Sequence, residues 1–240
     1  MRYLISISYD GSKFQGFQRL KENASVQKVI EEALTKINKD KVVIKGAGRT
    51  DRGVHALDQK AHFDLNININ PEGLKKALNS LVKPYIYIND CKIVDENFHA
   101  RFCVKEKVYV YKINLGEYNP ILKDYVNQNV NNLDIKAMKK ASKVFLGVHN
   151  FKNFVSGERD NYDCIIYKIK FKVVNNILEI EFTGKSFYRY MVRNLVGALI
   201  EVGKHKINSE YLENMLENYD TVINLPTSDA CGLYLKQIKY

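Results

Sequence analysis

The 240-residue sequence predicts an α+β fold made of two βαββαβ, ferredoxin-like halves. Three observations support this class. Short segments of alternating polarity indicate strands, amphipathic segments with a 3.6-residue period indicate helices, and both follow the same order in residues 1–104 and 105–240. We expect the antiparallel sheets of the two halves to join into one extended sheet, with helices on one face and an open cleft on the other.

The first half predicts the order strand, helix, strand, strand, helix, strand. Ser25 or Asn23 can cap the first helix, and the second helix lies between Pro71 and Pro84. In chain order the segments are RYLISISYD, ASVQKVIEEALTKIN, KVVIKGAG, QKAHFDLNI, EGLKKALNSLV and YIYINDCKIV.

The second half repeats this order. An Asn175-Asn176 pair between two alternating segments predicts a β-hairpin. A long apolar segment and a shorter amphipathic one predict two helices before the closing strand. In chain order the segments are KVYVYKINLG, LDIKAMKKASKVFLG, CIIYKIKFKVV, ILEIEFTG, SFYRYMVRNLVGALIEVG, SEYLENMLEN and CGLYLKQIKY.

Charge and composition favour an acidic partner. The formal net charge is +10, which is typical of proteins that bind nucleic acid. The four cysteines form no C-x-x-C pair and the five histidines no H-E-x-x-H, so we expect no metal site and no disulfide framework. No apolar stretch is long enough to span a bilayer, and we expect a cytoplasmic protein without a membrane partner.

The segment GAGRTDRGVHALDQKAHFD, residues 46–64, places Asp51 between Arg49 and Arg52 in a glycine-rich loop. Its spacing fits neither G-x-G-x-x-G nor G-x-x-x-x-G-K-[ST], and an acid inside a phosphate loop would repel the ligand. The pattern instead suits an ionised carboxylate on a surface that attracts polyanions.

Arg193 lies in the middle of the apolar segment SFYRYMVRNLVGALIEVG. A buried guanidinium needs a partner, and Asp51 is the natural candidate, although Arg193 could instead extend to the surface or cap a neighbouring strand. Pairing would keep Asp51 ionised, which suits a nucleophile better than a general acid.

Tyr109 and Tyr111 lie two residues apart on a predicted strand and so share one face. An aromatic ring there can stack on a nucleobase, but one of the two could equally be a core tyrosine. The basic side chains around this strand, His99, Arg101 and Lys107, are expected to contact phosphates.

Five motifs in chain order resemble those of the tRNA pseudouridine synthases of the TruA family. The motif G-R-T-D-x-G-V-H-A is present as GRTDRGVHA, residues 48–56. The other four are YDGSKFQGFQ at 9–18, HARF with KVYVY at 99–111, MVRNLVG at 191–197 and GLYL at 232–235.

The resemblance implies a role for each of several residues. Asp51 would be the catalytic nucleophile, Tyr109 would stack on the target uracil, and Arg193 would form an ion pair with Asp51. Arg49 would help to extrude the base, and Leu233 would pack beneath it. The remaining candidate substrate-binding residues are Arg52, His55, His99, Arg101 and Lys107.

The family also implies an activity and partners. Its members convert uridine to pseudouridine in the tRNA anticodon stem-loop, around positions 38–40, without metal or small-molecule cofactor, and act as homodimers. Attack on the sugar C1′, attack on the base, and a glycal route all remain open. The sequence departs from the family pattern in Arg52, Phe14, Phe17 and Asn150, and in a missing arginine before the strand that begins near Cys164.

Three functions are therefore compared. The first is a tRNA pseudouridine synthase, including a paralogue with another RNA site. The second is a non-catalytic tRNA-binding protein, which would not need the Asp51–Arg193 pair. The third is a metal-dependent nuclease or deaminase, which the absence of a Cys/His ligand pattern argues against.

Overall fold

The computed structural model describes residues 1–20, 24–130, 132–218 and 225–240. Its contacts divide the chain into two compact units. Unit 1 comprises Met1–Lys105 with Tyr234–Tyr240, and unit 2 comprises Glu106–Leu233. Both units combine helices with mainly antiparallel strands, so the predicted α+β class is confirmed.

In the described residues of the N-terminal part of the chain, unit 1 forms four strands and two α-helices in the predicted order. Its central strands pair in the order β4-β1-β3, all antiparallel, and the short β2 pairs with β3. The elements are β1 (Arg2–Tyr9), α1 (Val26–Asn38), β2 (Lys45–Gly46), β3 (His55–Asp64), α2 (Pro71–Val82) and β4 (Ile86–Ile93).

Local sequence explains where the two helices begin. The hydroxyl of Ser25 accepts a hydrogen bond from the backbone N–H of Lys28, which satisfies a donor of the first turn of α1. Asn70 caps α2 in the same way, and Pro71 at the first helical position has no N–H to satisfy. The alternative cap, Asn23, lies outside the described residues.

Unit 2 contains the second series of elements, with strands paired antiparallel in the order β5-β8-β7-β6. The hairpin is confirmed, since Asn175 and Asn176 both have positive φ, 50° and 61°, between paired Val174 and Ile177. The elements are β5 (Glu106–Asn114), α3 (Ile135–Ala141), β6 (Gly147–Asn150), β7 (Asp163–Val174), β8 (Ile177–Gly184), α4 (Met191–Gly203) and α5 (Ser209–Glu217).

Several predicted elements are shorter in the structure, among them the helix predicted over LDIKAMKKASKVFLG, of which α3 spans only Ile135–Ala141. KVVIKGAG forms a strand only at Lys45–Gly46, because α1 supplies partners for the backbone before it: Glu31 accepts from the N–H of Ile44, and Thr35 from that of Val42. The helix predicted from residue 186 begins at Met191, because Tyr190 has a φ of 62° and cannot continue a right-handed helix.

The closing strand, β9 (Leu233–Lys239), belongs mostly to unit 1, whereas chain order suggested the C-terminal half. It pairs in parallel with β3 through His55 and Ala56, and Lys239 accepts a hydrogen bond from the N–H of Lys105. A strand adds to whichever sheet edge offers unpaired backbone groups, so chain order does not determine its position.

Candidate active site

The loop that carries Asp51 connects β2 to β3 in unit 1. Thr50, immediately before Asp51, is buried, and its Oγ1 lies 2.7 Å from the hydroxyl of Tyr9. The carbonyl of Thr50 accepts a hydrogen bond from the N–H of Phe17, at 3.2 Å. Gln59 donates to the carbonyl of Gly48, at 3.1 Å. The loop backbone is therefore held at several points on either side of the carboxylate.

The N-terminal motif YDGSKFQGFQ provides the surface beneath this loop. A Cβ added to Gly11 would lie 2.0 Å from the carbonyl oxygen of Val54, and one added to Gly16 would lie 2.9 Å from that of Thr50. Gly16 also has a φ of 102°, which other residues rarely adopt. Both glycines are therefore required by the close approach of the backbone to the Asp51 loop.

The exposure of the side chains differs from residue to residue along the loop. Thr50 points inward, Asp51 is half-buried, and Arg49 and Arg52 are exposed. An acid in this setting has its backbone fixed by buried neighbours, while its two cationic neighbours can reach solvent or a polyanion. The role of Asp51 as an ionised, catalytic carboxylate stays a prediction.

His55 lies at the start of β3 and is only 2% exposed. Its Nδ1 accepts a hydrogen bond from the N–H of Gly11, at 3.1 Å, and its ring stacks on Tyr234 with centroids 4.6 Å apart. The accepting Nδ1 is also 3.5 Å from a carboxylate oxygen of Asp10, but it cannot donate to that oxygen while it accepts from Gly11. His55 therefore supports the N-terminal motif from within unit 1, and its contact with substrate stays a prediction.

The turn after β4 carries His99 and Arg101. Arg101 is exposed, as a phosphate-binding residue should be. His99 is half-buried, and its Nδ1 accepts a hydrogen bond from the N–H of Arg101. Burial and the nearby cations Arg2, Lys45 and Arg101 lower the pKa of His99 below its usual value. The imidazole therefore supports the backbone of the turn, and its contact with phosphate stays a prediction.

In unit 2, Tyr109 and Tyr111 both lie on β5 but have different surroundings. Tyr111 is 0% exposed, donates its hydroxyl proton to the carbonyl of Asp229 and accepts from the side chain of Asn127. Both tyrosines are buried, and the hydroxyl of Tyr111 is fully satisfied within unit 2. Tyr109 is 8% exposed and meets Phe187 edge to face, with centroids 5.2 Å apart.

The two remaining predicted residues of these strands, Lys107 and Leu233, lie at the starts of β5 and β9. Lys107 is half-buried near the start of β5, opposite Gly184 of β8. Leu233 is buried and begins β9.

Arg193 lies in the first turn of α4 rather than in the middle of a longer helix, because α4 begins at Met191. It is half-buried. Its Nε donates to the carbonyl of Ser228, at 2.7 Å, and its guanidinium lies over the ring of Tyr190 at 4.9 Å. These contacts orient the guanidinium. Its pairing with Asp51 stays a prediction.

The sequence did not indicate three neighbours of the candidate residues. Tyr9 supports Thr50, Phe187 contacts Tyr109, and Ser228 orients Arg193. Tyr9 and Phe187 could have been suspected from their positions inside or beside quoted motifs. Ser228 contacts Arg193 through its backbone, with both its carbonyl and its N–H, so its side chain carries no signal.

The described ranges contain neither a candidate metal site nor a helix that could span a membrane. No group of three or more His, Cys, Asp or Glu within them could hold a metal ion. None of the helices described there is long and apolar enough to cross a bilayer.

Comparison with known proteins identifies the family. A family model described as tRNA pseudouridine synthase matches residues 5–103 and 141–240. The chain belongs to the tRNA pseudouridine synthase family. Members of this family are isomerases, and this chain is therefore an enzyme of that class.

The sequence similarity to individual family members extends over their full length. The chain is 37% identical over 240 residues to tRNA pseudouridine synthase A of Mycoplasma genitalium, covering 100% of this chain and 98% of that protein. It is 38% identical over 243 residues to tRNA pseudouridine synthase A of Pseudothermotoga lettingae, covering 100% and 99%. Among solved structures, a Cbf5-Nop10-Gar1 complex aligns with a TM-score of 0.35 and 10% identity, covering 83% of this chain and 54% of that one.

The departures from the pseudouridine synthase pattern preserve local structure. The side chain of Asn150 accepts a hydrogen bond from the N–H of Lys152, at 3.0 Å, as an aspartate would. Phe14 and Phe17 are both buried and pack as apolar rings where the pattern has other aromatic residues. The added Arg52 is exposed beside the candidate nucleophile.

Proposed function

We propose that this enzyme converts uridine to pseudouridine in the anticodon stem-loop of tRNA, around positions 38–40, with Asp51 as the nucleophile. Family membership supports the reaction and the class of substrate. The stem-loop site is carried over from the TruA resemblance of the five motifs.

One observation carries the assignment of Asp51. Its loop is supported from below by Tyr9, Phe17 and Gln59, while the carboxylate itself remains half-exposed between two exposed arginines. A fixed backbone with a partly accessible carboxylate is what a nucleophile requires, since positioning removes much of the entropic cost of attack.

The reaction is an isomerisation and balances without any oxidant or reductant. The bond between N1 of uracil and the sugar C1′ breaks, and a bond between C5 and C1′ forms. C5 loses its proton and N1 gains one. Asp51 would act by adding to C1′, by adding to the base, or by promoting a glycal intermediate, and each route needs an ionised carboxylate close to the glycosidic bond.

The supporting roles proposed for unit 2 rest on the family pattern and on local chemistry. Tyr109 stacks on the target uracil, Leu233 packs beneath it, and Arg193 forms an ion pair with Asp51. The carbonyl of Ser228 and the ring of Tyr190 support this last role, because they orient the guanidinium.

The proposed surroundings of the reaction also follow the family. Arg49 helps to extrude the target base, and Arg52, Arg101 and Lys107 contact the RNA backbone. The enzyme acts as a homodimer in the cytoplasm. Sedimentation or light scattering with and without tRNA measures the oligomeric state, and a monomer at working concentrations would contradict the dimer.

The test of the activity is to incubate the enzyme with unmodified tRNA, without added metal, and to map pseudouridine along the product. Conversion confined to the anticodon stem-loop is expected. Pseudouridine elsewhere would support a paralogue with another RNA site. Tight binding without any conversion, on tRNAs that an established enzyme modifies, would support a non-catalytic binder.

A further inference from the structure

Phe102 is the feature of unit 1 that the proposed chemistry leaves unexplained. It is 76% exposed, although aromatic side chains are normally placed where they can bury their rings. It ends the HARF turn, which we define as residues 99–102. None of the roles assigned above uses it.

The HARF turn is held in place by its neighbours in unit 1. The N–H of Ala100 donates to Nδ1 of His62, at 3.0 Å, and the hydroxyl of Tyr240 donates to the carbonyl of Ala100, at 2.9 Å. The N–H of Cys103 donates to the carbonyl of His99, at 3.0 Å. The exposure of Phe102 therefore results from a fixed backbone rather than from a loose loop.

His99 supports one face of the Phe102 ring. The two ring centroids are 4.3 Å apart and the rings are inclined by 30°. Nδ1 of His99 accepts from the N–H of Arg101, which sets the orientation of the imidazole. With one face against His99 and most of its surface in solvent, the phenyl ring can receive a second flat group on its outer side.

The charge around the ring indicates what that group is. The guanidinium of Arg101 lies 5.9 Å from the Phe102 ring centroid and is exposed to solvent. The exposed Lys45 is close enough to act on His99 electrostatically, whereas the nearby Arg2 is ion-paired with Asp64. A flat apolar ring beside exposed cations suits a nucleotide, whose base stacks while its phosphate is neutralised. A protein partner would require a wider apolar surface.

We infer that the HARF turn is a second nucleotide-binding site, in which Phe102 stacks on an unpaired base of the RNA and Arg101 binds the adjoining phosphate. This base is not the target uridine, for which Tyr109 is proposed. The inference rests on the proposed function only in taking the RNA to be tRNA. Stacking of one base on an aromatic ring stabilises a complex by a factor of about ten or more.

The absence of tryptophan from the sequence provides a direct test. In Phe102→Trp the new indole is the sole tryptophan, and stacking of a base on it quenches its fluorescence. Titration with unmodified tRNA should quench this emission and saturate with the binding isotherm. Tyr118→Trp is the matched control, since Tyr118 is a 66% exposed aromatic residue of unit 2, and its emission should stay nearly constant.

Two further variants separate stacking from other contacts. Phe102→Leu keeps an apolar side chain without an aromatic face, and Phe102→Ala removes both. Each should weaken tRNA binding about tenfold, whereas Phe102→Trp should bind as tightly as the wild type. Circular dichroism of each variant checks that it is folded.

Three results would overturn the inference. One is unchanged Phe102→Trp emission when tRNA binding is saturated, and another is wild-type affinity in Phe102→Leu. The third is an emission change that depends on protein concentration alone, which would make the turn an interface between copies. None of these requires catalysis, so failure of the proposed function is distinguished by the separate conversion assay on wild-type enzyme.

Discussion

The hydroxyl of Tyr9 lies 2.7 Å from Oγ1 of Thr50, the residue that precedes Asp51. Both side chains are buried, and burial raises the pKa of Tyr9 to about 12, so the hydroxyl stays protonated. This contact connects the first motif of the chain to the second. It fixes the residue beside the proposed nucleophile from within the core of unit 1.

Replacing Tyr9 with phenylalanine should therefore slow isomerisation about tenfold and lower the free energy of unfolding by about 1–2 kcal/mol, because Thr50 loses its buried partner. Tyr3→Phe is the matched control, since the fully buried Tyr3 donates to the carbonyl of Ile69 elsewhere in unit 1. Single-turnover rates and urea denaturation measure both effects. Equal loss of activity in the two variants at saturating tRNA would show that stability alone is responsible.

Much of the fold could be predicted because its signals are local. The Asn175-Asn176 turn and the cap at Ser25 depend on neighbouring residues alone, and both are found. The predicted start of α4, at residue 186, was wrong because apolar composition does not reveal the positive φ of Tyr190. The pairing of β9 with β3 depends on which sheet edge is available, and no local pattern reports that.

Arg193 gives a second prediction. Arg193→Met should lower the rate of isomerisation at least a hundredfold, because the proposed partner of Asp51 and the contacts with Ser228 and Tyr190 are lost together. Arg193→Lys should retain part of the rate, since it keeps the charge but not the planar fork. Full activity in the methionine variant would remove the ion pair from the mechanism.

His62 should make stability depend on pH. Burial, and then the nearby His99 and Arg2, lower the pKa of His62 to about 4, so it is neutral in the fold. The unfolded chain takes up this proton near pH 6.5, well before the folded protein does. Stability from His62 is thus present above pH 6.5 and is lost as the pH falls towards 4, by roughly 2–3 kcal/mol.

His62→Gln tests this dependence, because the side-chain amide oxygen of glutamine does not titrate and can still accept the hydrogen bond from the N–H of Ala100. The free energy of unfolding of the variant should fall less steeply between pH 7 and 4 than that of the wild type. Parallel curves would show that His62 is not responsible.

The candidate site was predictable where its residues follow one another. Arg49, Asp51 and Arg52 lie within four successive residues, so the loop motif alone identifies them. Both arginines are exposed in the structure. His55 belongs to the same motif but is buried, because β3 begins there and its ring packs on Tyr234. A motif identifies residues that matter and does not say whether they contact substrate.

The affinity for tRNA should fall steeply with salt, given the net charge of +10. Arg52→Ala and Arg101→Ala should each reduce the slope of log affinity against log salt by about 1, the amount expected for one phosphate contact. Lys139→Ala, at an exposed position of α3, removes the same charge as a control and should leave the slope unchanged. Equal changes in all three variants would mean that only net charge matters.

The role of Asp51 is tested by single-turnover conversion of unmodified tRNA by Asp51→Asn. An amide keeps the shape of the side chain but cannot act as the nucleophile, so conversion should fall by about a thousandfold or more while tRNA affinity changes little. Asp58→Asn is the control, since Asp58 is a half-buried acid of the same unit that pairs with Lys60. It should convert tRNA at close to the wild-type rate. Conversion by Asp51→Asn at that rate would contradict the assignment of Asp51 as the nucleophile.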